Sequence, residues 1–197
     1  MNPVVEMREL ISSEEIESFQ KAFNEVLGYS TVPLSYFHDG ECHAMFIDGK
    51  IVSGFALISG FHKLRSVMQM PKNKIFDLIT YLCKVQSHED ALENLADFTG
   101  LFLKDKRHSF TFSLYMLKIC LFHPCRYFIY SYQVSEERLG NYYGRGKPQR
   151  IHTGVPEHLD GHHSIMEPEH VEIMSKWGIV RIILHRTFKM IKKQLLK

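Results

Sequence analysis

The sequence has few cysteines, and none are spaced as metal ligands usually are. Its four cysteines stand in apolar surroundings with no CxxC spacing, at Cys42, Cys83, Cys120 and Cys125. This pattern argues against a structural zinc site and against a disulfide framework. It favours buried thiols in a reducing compartment. No run of about 18 uncharged apolar residues is present to span a bilayer, and the first ten residues do not resemble a signal peptide. We expect a cytoplasmic protein, soluble or attached peripherally to the inner face of a membrane.

A strong excess of one charge is also missing. The 197 residues carry a net charge of +2, so no global field directs the chain to nucleic acid. Hydrophobic residues make up 45% and aromatic residues 12% of the chain, which predicts a folded core rather than disorder. The length is that of a single domain, and no internal repeat is present.

The spacing of apolar residues predicts a mixed α/β fold in which strands and helices interleave. The clearest local signal is the pair Asp48-Gly49, which separates two β-rich runs and predicts a hairpin. The predicted elements are strands at 4–10, 42–47, 50–59, 97–103, 126–134 and 150–154, helices at 12–28, 71–86, 110–123, 135–143 and 171–196, a loop at 29–39 and irregular chain at 155–170.

A cationic turn between the strand at 97–103 and the following helix predicts an anion site. The helix N-terminus contributes a partial positive charge and unpaired backbone amides that face a bound anion. The residues expected to hold the anion are Leu103, Lys104, Lys106, Arg107, His108 and Ser109. The alternative is a basic turn with its side chains in water.

Four stretches follow the order and local chemistry of a known family. They are the opening VVEMRELISSEEIESFQKAFNEVLG, the hairpin AMFIDGKIVSGFALI, the strand, turn and helix over 98–121, and YFIYSYQVSEERLGNYYGRGKPQRIHTG. In these stretches the chain resembles the GNAT acyltransferase superfamily. The resemblance implies a central mixed β-sheet flanked by helices and transfer of an acyl group from a thioester to an amine. It also implies that the turn after Leu103 binds the phosphates of acyl-CoA or of acyl-phosphopantetheine on an acyl carrier protein.

The turn departs from the family pattern, because the family places glycines there and this chain has none between Lys104 and Phe110. Side chains hinder a tight backbone wrap, so charge-assisted bonds from Lys106 and Arg107 are expected instead. Branches that use long acyl chains, such as acyl-homoserine-lactone synthases and long-chain N-acyl amino acid synthases, also vary this turn. The inserted helix at 71–86 is compatible with such a branch.

The resemblance also implies which side chains take part in the chemistry. A tyrosine after the fifth strand protonates the leaving thiolate in the family, and Tyr143 or Tyr142 matches that position. A phenol suits this role because its pKa near 10 lies above that of a thiol. Asp97, at the head of the motif strand, is the candidate proton acceptor. Packing at a helix end and capping of a strand are the corresponding structural alternatives.

A histidine-rich segment at 152–170 is the main competing feature. Its imidazoles and carboxylates are His152, His158, His162, His163, His170, Glu157, Asp160, Glu167 and Glu169. Their spacing matches no zinc motif, so we expect no metal and interpret the segment as a loop near the substrate entrance. A metal-dependent enzyme that uses this loop is the less favoured alternative.

The C-terminal segment predicts a basic amphipathic helix over 171–197, packed on an acyltransferase domain that spans 1–170. Its apolar face is predicted to hold Ile173, Trp177, Val180, Leu184, Phe188, Ile191 and Leu195, and no acid follows Glu172. The basic side chains could remain solvated, lie on anionic lipid through residues 173–197, or dock an acidic carrier protein. The same fold could also serve as a non-catalytic module that binds an acyl or lipid ligand.

Overall fold

The computed structural model describes residues 3–27, 32–60, 63–68, 70–85, 93–156 and 167–195. The strands are β1 (Val5–Glu9), β2 (Glu41–Ile47), β3 (Lys50–Ser59), β4 (Leu95–Leu103), β5 (Tyr127–Gln133), β6 (Gln149–Gly154) and β7 (Glu169–Ser175). The helices are α1 (Ser13–Leu27), α2 (Leu34–His38), α3 (Arg65–Met68), α4 (Lys72–Val85), α5 (Ser109–Phe122), α6 (Glu137–Tyr143) and α7 (Lys176–Leu195), with a 3-10 turn at Gly144–Gly146.

The seven strands form one mixed sheet in the order β1-β2-β3-β4-β5-β7-β6. All neighbouring strands are antiparallel except β4 and β5, which run parallel. Helices α1 and α2 cover one face of the sheet around Phe19 and Phe37, with α3 and α4 further along it. Helices α5 and α7 pack on the opposite face around Phe112 and Ile182. The predicted fold class, a mixed sheet flanked by helices, is therefore confirmed.

Local signals explain the best-predicted elements. Asp48 and Gly49 both have positive φ, 49° and 75°, as a two-residue hairpin turn requires. At the start of α1, the Glu15 amide donates to Ser12 Oγ at 3.2 Å, and the Ser12 amide donates to Glu15 Oε2 at 3.4 Å. This reciprocal pair is a capping box. The inserted helix predicted at 71–86 is α4, which packs Leu78 and Leu82 against the sheet.

Two predicted elements were wrong. The described part of the predicted loop at 29–39 contains helix α2, which is held in place because Tyr36 and Phe37 are buried beneath α1. The predicted last helix does not begin at 171, because β7 continues to Ser175 and α7 begins at Lys176. Strand β7 lies between β5 and β6, so pairing on both edges overrides the local helical spacing.

Trp177, Leu184 and Phe188 of the predicted apolar face lie along one side of α7, but that side faces solvent and a different side packs on the sheet. Helix α7 packs Ile179, Ile182 and Ile183 against the sheet and leaves Trp177 and Phe188 exposed. Both sides of the helix carry apolar residues, so helical spacing alone could not identify the buried one. Within the described residues, no helix combines the length and apolar character needed to cross a bilayer.

Candidate active site

Strands β4 and β5 separate along their length and open a cleft in the sheet. They pair only where 95–97 lie beside 127–129. Beyond that point, Gly100 has a φ of +64°, and the register between β3 and β4 shifts at a bulge. A Cβ at Gly100 would lie 3.0 Å from the Phe37 ring, so only glycine fits this backbone without strain. A glycine inside a strand signals a bulge, but its role in opening a cleft was missed.

Two pockets lie in this cleft. The apolar pocket lies between the sheet and helices α5 and α7. The polar pocket includes Arg65, Glu136 and Glu169. The two pockets share three lining residues, Phe98, Leu101 and Tyr143. These three side chains therefore lie where molecules bound in the two pockets would come together.

Tyr143, the last residue of α6, is placed where the two pockets meet. Its ring centroid lies 4.4 Å from that of Tyr130 and 5.7 Å from that of Tyr132. Burial raises the pKa of the Tyr143 phenol, so the hydroxyl stays protonated at neutral pH. Tyr142, the other predicted tyrosine, lines the apolar pocket and packs edge-to-face on Tyr143 at 5.5 Å.

The polar pocket holds three charged groups. Arg65 Nη2 lies 3.8 Å from Glu169 Oε1. Glu169 is only 8% exposed, and within the described residues its Oε2 atom has no hydrogen-bond donor. Burial, together with the nearby carboxylates of Glu169 and Glu167, raises the pKa of Glu136. A cationic group that entered the pocket would therefore be stabilised by these carboxylates.

Asp97 is enclosed by the protein and lines neither pocket. Its Oδ2 atom accepts hydrogen bonds from the Tyr36 hydroxyl and from the Ser66 backbone amide, each 2.9 Å long. Burial raises the pKa of the carboxyl group, although these donors oppose the shift. The Asp97 carboxylate is positioned to hold α3 in place, and α3 places Arg65 in the polar pocket.

Two of the three cations in the predicted anion turn are already paired with carboxylates. The Arg107 guanidinium donates to both oxygens of Asp105, at 2.7 to 3.1 Å, and lowers the pKa of that carboxyl to about 2. Lys104 Nζ lies 2.6 Å from Glu25 Oε2. Lys106 is exposed and forms no ion pair within the described part of the chain. Leu103 precedes the turn, where the Lys104 amide donates to the Val52 carbonyl.

Backbone amides remain available at the end of the turn. His108 caps α5 without a side-chain hydrogen bond. The Ser109 amide donates to the Lys106 carbonyl. Within the described residues, no intramolecular acceptor is present for the amides of Phe110 and Thr111, the next two positions of the helix. These amides and Lys106 are the groups that an incoming anion could contact without breaking an existing ion pair.

A buried carboxylate beside the cleft was missed by the sequence analysis. Glu172 on β7 accepts hydrogen bonds from the hydroxyls of Tyr130 at 3.0 Å and Tyr132 at 3.1 Å. Arg150 donates to the same carboxylate at 2.9 Å. The sequence placed Glu172 in a predicted helix. Its carboxylate faces the two tyrosines only because residues 169–175 form a strand instead. The cluster fixes the rings that pack against Tyr143.

The histidine-rich segment is described only in part. His158, His162, His163, Glu157 and Asp160 lie outside the described residues. His170 Nδ1 lies 2.7 Å from Thr153 Oγ1, and the Glu167 carboxylate accepts a hydrogen bond from Ser135. Within the part of the chain that is described, no group of three histidine, cysteine or acidic side chains could hold a metal ion.

No protein-family model matches the chain, and no curated protein sequence matches it. Solved structures do match. FeeM, an N-acyl amino acid synthase from uncultured soil microbes, is 13% identical, with coverage of 90% of this chain and 94% of FeeM and a TM-score of 0.58. A GNAT-family acetyltransferase from Streptococcus pneumoniae is 9% identical, with coverage of 87% and 99% and a TM-score of 0.52.

A third similar structure, from Salmonella typhimurium, was solved with its cofactor acetyl-CoA. It is 4% identical, with coverage of 87% of this chain and 94% of the other and a TM-score of 0.52. These comparisons show that the chain has the GNAT fold over most of its length, as the sequence resemblance implied.

Proposed function

We propose that this chain, which has the fold of the GNAT acyltransferases, is an N-acyltransferase that moves an acyl group from a thioester to an amine. The observation that carries the proposal is the position of Tyr143, which lines both the apolar and the polar pocket. An acyl chain in the first pocket and an amine in the second would meet beside its hydroxyl. Holding two reactants in this way supplies much of the catalysis of a bimolecular reaction.

The reaction is a direct displacement. The ammonium group passes one proton to a carboxylate, which releases it to solvent, and the freed lone pair attacks the thioester carbonyl. The carbon–sulfur bond then breaks, the thiolate takes the proton of the Tyr143 hydroxyl, and the second proton of the nitrogen, which is cationic after the attack, restores the phenol. Because its pKa is raised, the Tyr143 phenol stays protonated and gives up its proton only as this second proton replaces it. Tyr142 is the second candidate for this role.

We propose that the amine binds as an ammonium group beside Glu169 and Glu136 and passes its proton to one of these carboxylates. The Oε2 atom of Glu169 suits this role, because no donor among the described residues forms a hydrogen bond with it. Asp97 remains a predicted proton acceptor, but its burial and its two hydrogen bonds favour a role in positioning α3. Arg65 could pair with a carboxylate of the acceptor. Together with the name of FeeM, this favours an amino acid as the acceptor.

The apolar pocket favours an acyl group longer than acetyl, because its lining is formed by apolar and tyrosine side chains alone. We propose that the donor is acyl-CoA or an acyl carrier protein whose phosphates lie at the turn after Leu103. Lys106 and the amides at the start of α5 are available to it, and Arg107 would exchange Asp105 for phosphate. The three described cysteines are buried free thiols, which supports a reducing, cytoplasmic setting.

The paired cations at the turn favour a second candidate, a non-catalytic module that binds an acyl ligand. One experiment separates the two. The purified full chain is mixed with acetyl-, octanoyl- or dodecanoyl-CoA and a pool of amino acids, and free thiol and amide products are measured. An enzyme releases thiol and forms an N-acyl amide, whereas a binding module retains the thioester intact. The same assay with an acyl carrier protein identifies the preferred donor.

A further inference from the structure

Helix α7 leaves a line of large apolar side chains in water. Trp177, Leu184 and Phe188 recur at steps of seven and four, which places them along one side of the helix, and Trp177 and Phe188 are 71% and 68% exposed. Soluble proteins expose single apolar residues often, but a line of large ones on one element marks a contact surface.

The same exposed surface is basic and contains no acid. Arg181, Lys189 and Lys192 are exposed on α7, and no aspartate or glutamate follows Glu172 in the sequence. The neighbouring helix α5 also lacks acidic residues. Neither helix therefore presents a carboxylate of its own to an anionic partner, and the basic side chains of α7 would attract one.

The last turn of α5 extends this surface. Lys176 Nζ donates to the Leu121 carbonyl at 3.2 Å and also to the carbonyl of His123, which ties the start of α7 to the end of α5. Leu121 and Phe122 are exposed there, Phe122 to 82%. We define the basic face as the exposed side of α7 together with these two residues.

The basic face lies over the apolar pocket. Ile179, Ile182 and Ile183 on the opposite side of α7, and Met116 on α5, line that pocket. The same two helices therefore have an apolar cavity beneath them and an apolar, cationic surface above them.

We propose that the basic face binds the surface of a bilayer that contains anionic phospholipids, with Trp177 and Phe188 inserted at the level of the headgroups. Exposed tryptophan, phenylalanine and leucine beside lysine and arginine are the chemistry of an interfacial helix. An acidic carrier protein fits less well. Helix α5 has 14 residues and is about 21 Å long, so the predicted phosphate turn and Trp177 lie at its opposite ends.

The test uses the only tryptophan of the chain, which lies in the face itself. The full chain is titrated with phosphatidylcholine vesicles that contain either no or about 30% phosphatidylglycerol, and Trp177 emission and vesicle co-sedimentation are recorded. We expect a blue shift and sedimentation only with the anionic vesicles, and at least about a tenfold loss of binding between low salt and 0.5 M salt.

Matched variants locate the contact. Phe188→Ser and Lys189→Glu should each weaken vesicle binding at least about threefold. Phe76→Ser removes a phenylalanine of similar exposure, 69%, from α4, and Lys72→Glu reverses a charge on the same helix. These two controls should bind as the unaltered chain does, and thermal unfolding confirms that all four variants are folded.

Three results would overturn the proposal. They are no shift with anionic vesicles, equal binding to both vesicle types, and a Trp177 shift that an acidic acyl carrier protein produces while vesicles do not.

Discussion

The backbone amide of Ser66 donates a hydrogen bond of 2.9 Å to the buried Oδ2 atom of Asp97. The Tyr36 hydroxyl donates to the same oxygen and accepts a hydrogen bond from the Arg65 amide at 2.8 Å. One carboxylate oxygen therefore organises the first turn of α3 and the backbone of Arg65. The strand residue predicted from the sequence to be catalytic is joined by this network to the cation of the polar pocket.

Asp97→Asn should destabilise the protein and move α3. A neutral amide accepts these bonds less strongly, so the free energy of unfolding should fall by about 1–3 kcal/mol. If Asp97 positions Arg65, the KM of the amine acceptor rises while kcat changes little, and Tyr36→Phe shows the same pattern. Urea unfolding and steady-state kinetics measure both quantities. A collapse of kcat at unchanged KM would instead identify Asp97 as the proton acceptor.

The sequence predicted most of the sheet because its signals were local. The Asp48-Gly49 hairpin turn, for example, depends on two adjacent residues, and the structure has it. Residues 171–175 differ, because their strand exists only through pairing with β5 and β6. The alternation of Val171, Glu172 and Ile173 is a strand signal, but it is short, and the helical spacing that continues from the following helix obscured it.

The site was harder to predict because its parts come from distant elements. Tyr143 and the turn after Leu103 follow from the family resemblance, and their roles remain predictions. Arg65 on α3, Glu136 just before α6 and Glu169 on β7 come from separate parts of the chain that only the fold brings together. The pairing of Arg107 with Asp105 could have been anticipated, since the two residues are separated by one position and carry opposite charges.

Tyr143→Phe should lower kcat by about 100-fold, because the leaving thiolate loses its proton donor. Binding of the acyl donor should change less than about threefold, since the ring and its packing remain. Thiol release and calorimetric titration with a long-chain acyl-CoA provide the two readouts. Tyr127→Phe is the matched control, since Tyr127 packs near α4 on the opposite face of the sheet. Equal activities of the two variants would remove Tyr143 from the mechanism.

Arg65→Gln should raise the KM of an amino acid acceptor by about 10- to 100-fold, because a charged hydrogen bond contributes about 1.5–3 kcal/mol. The corresponding amine without a carboxylate should be used equally well by both proteins. Arg126→Gln removes an exposed arginine outside both pockets and serves as the control. A uniform loss with both acceptors would show that Arg65 does not select for a carboxylate.

His43 should make the protein sensitive to acid. Burial, with a further contribution from His123, lowers the pKa of His43 to about 4, whereas an unfolded histidine titrates near 6.5. The unfolded state therefore takes up a proton first as pH falls, and stability is lost progressively between about pH 6.5 and 4.

His43→Phe should abolish the part of this loss that His43 causes. That part is about 2 kcal/mol of the free energy of unfolding between pH 7 and 4.5. Phenylalanine retains the stacking on Phe55, where the two rings lie 5.1 Å apart. The measurement is urea unfolding across this pH range. The control is His38→Asn, which removes an exposed histidine. A variant whose stability falls as steeply as that of the unaltered chain would refute the assignment.

Ile182→Phe should shorten the acyl chain that the apolar pocket accepts. Ile182 lines this pocket from α7, and a larger ring would occupy space that the chain otherwise fills. Each buried methylene contributes about 0.8 kcal/mol, so leaving two to four methylenes of the acyl chain unburied should lower kcat/KM for dodecanoyl-CoA by about 15- to 200-fold. Use of acetyl-CoA should remain within about threefold, because the acetyl group does not reach the filled region. Leu184→Phe, on the exposed side of the same helix, should leave both rates unchanged. An equal fall with both donors would show that the acyl chain lies elsewhere in the cleft.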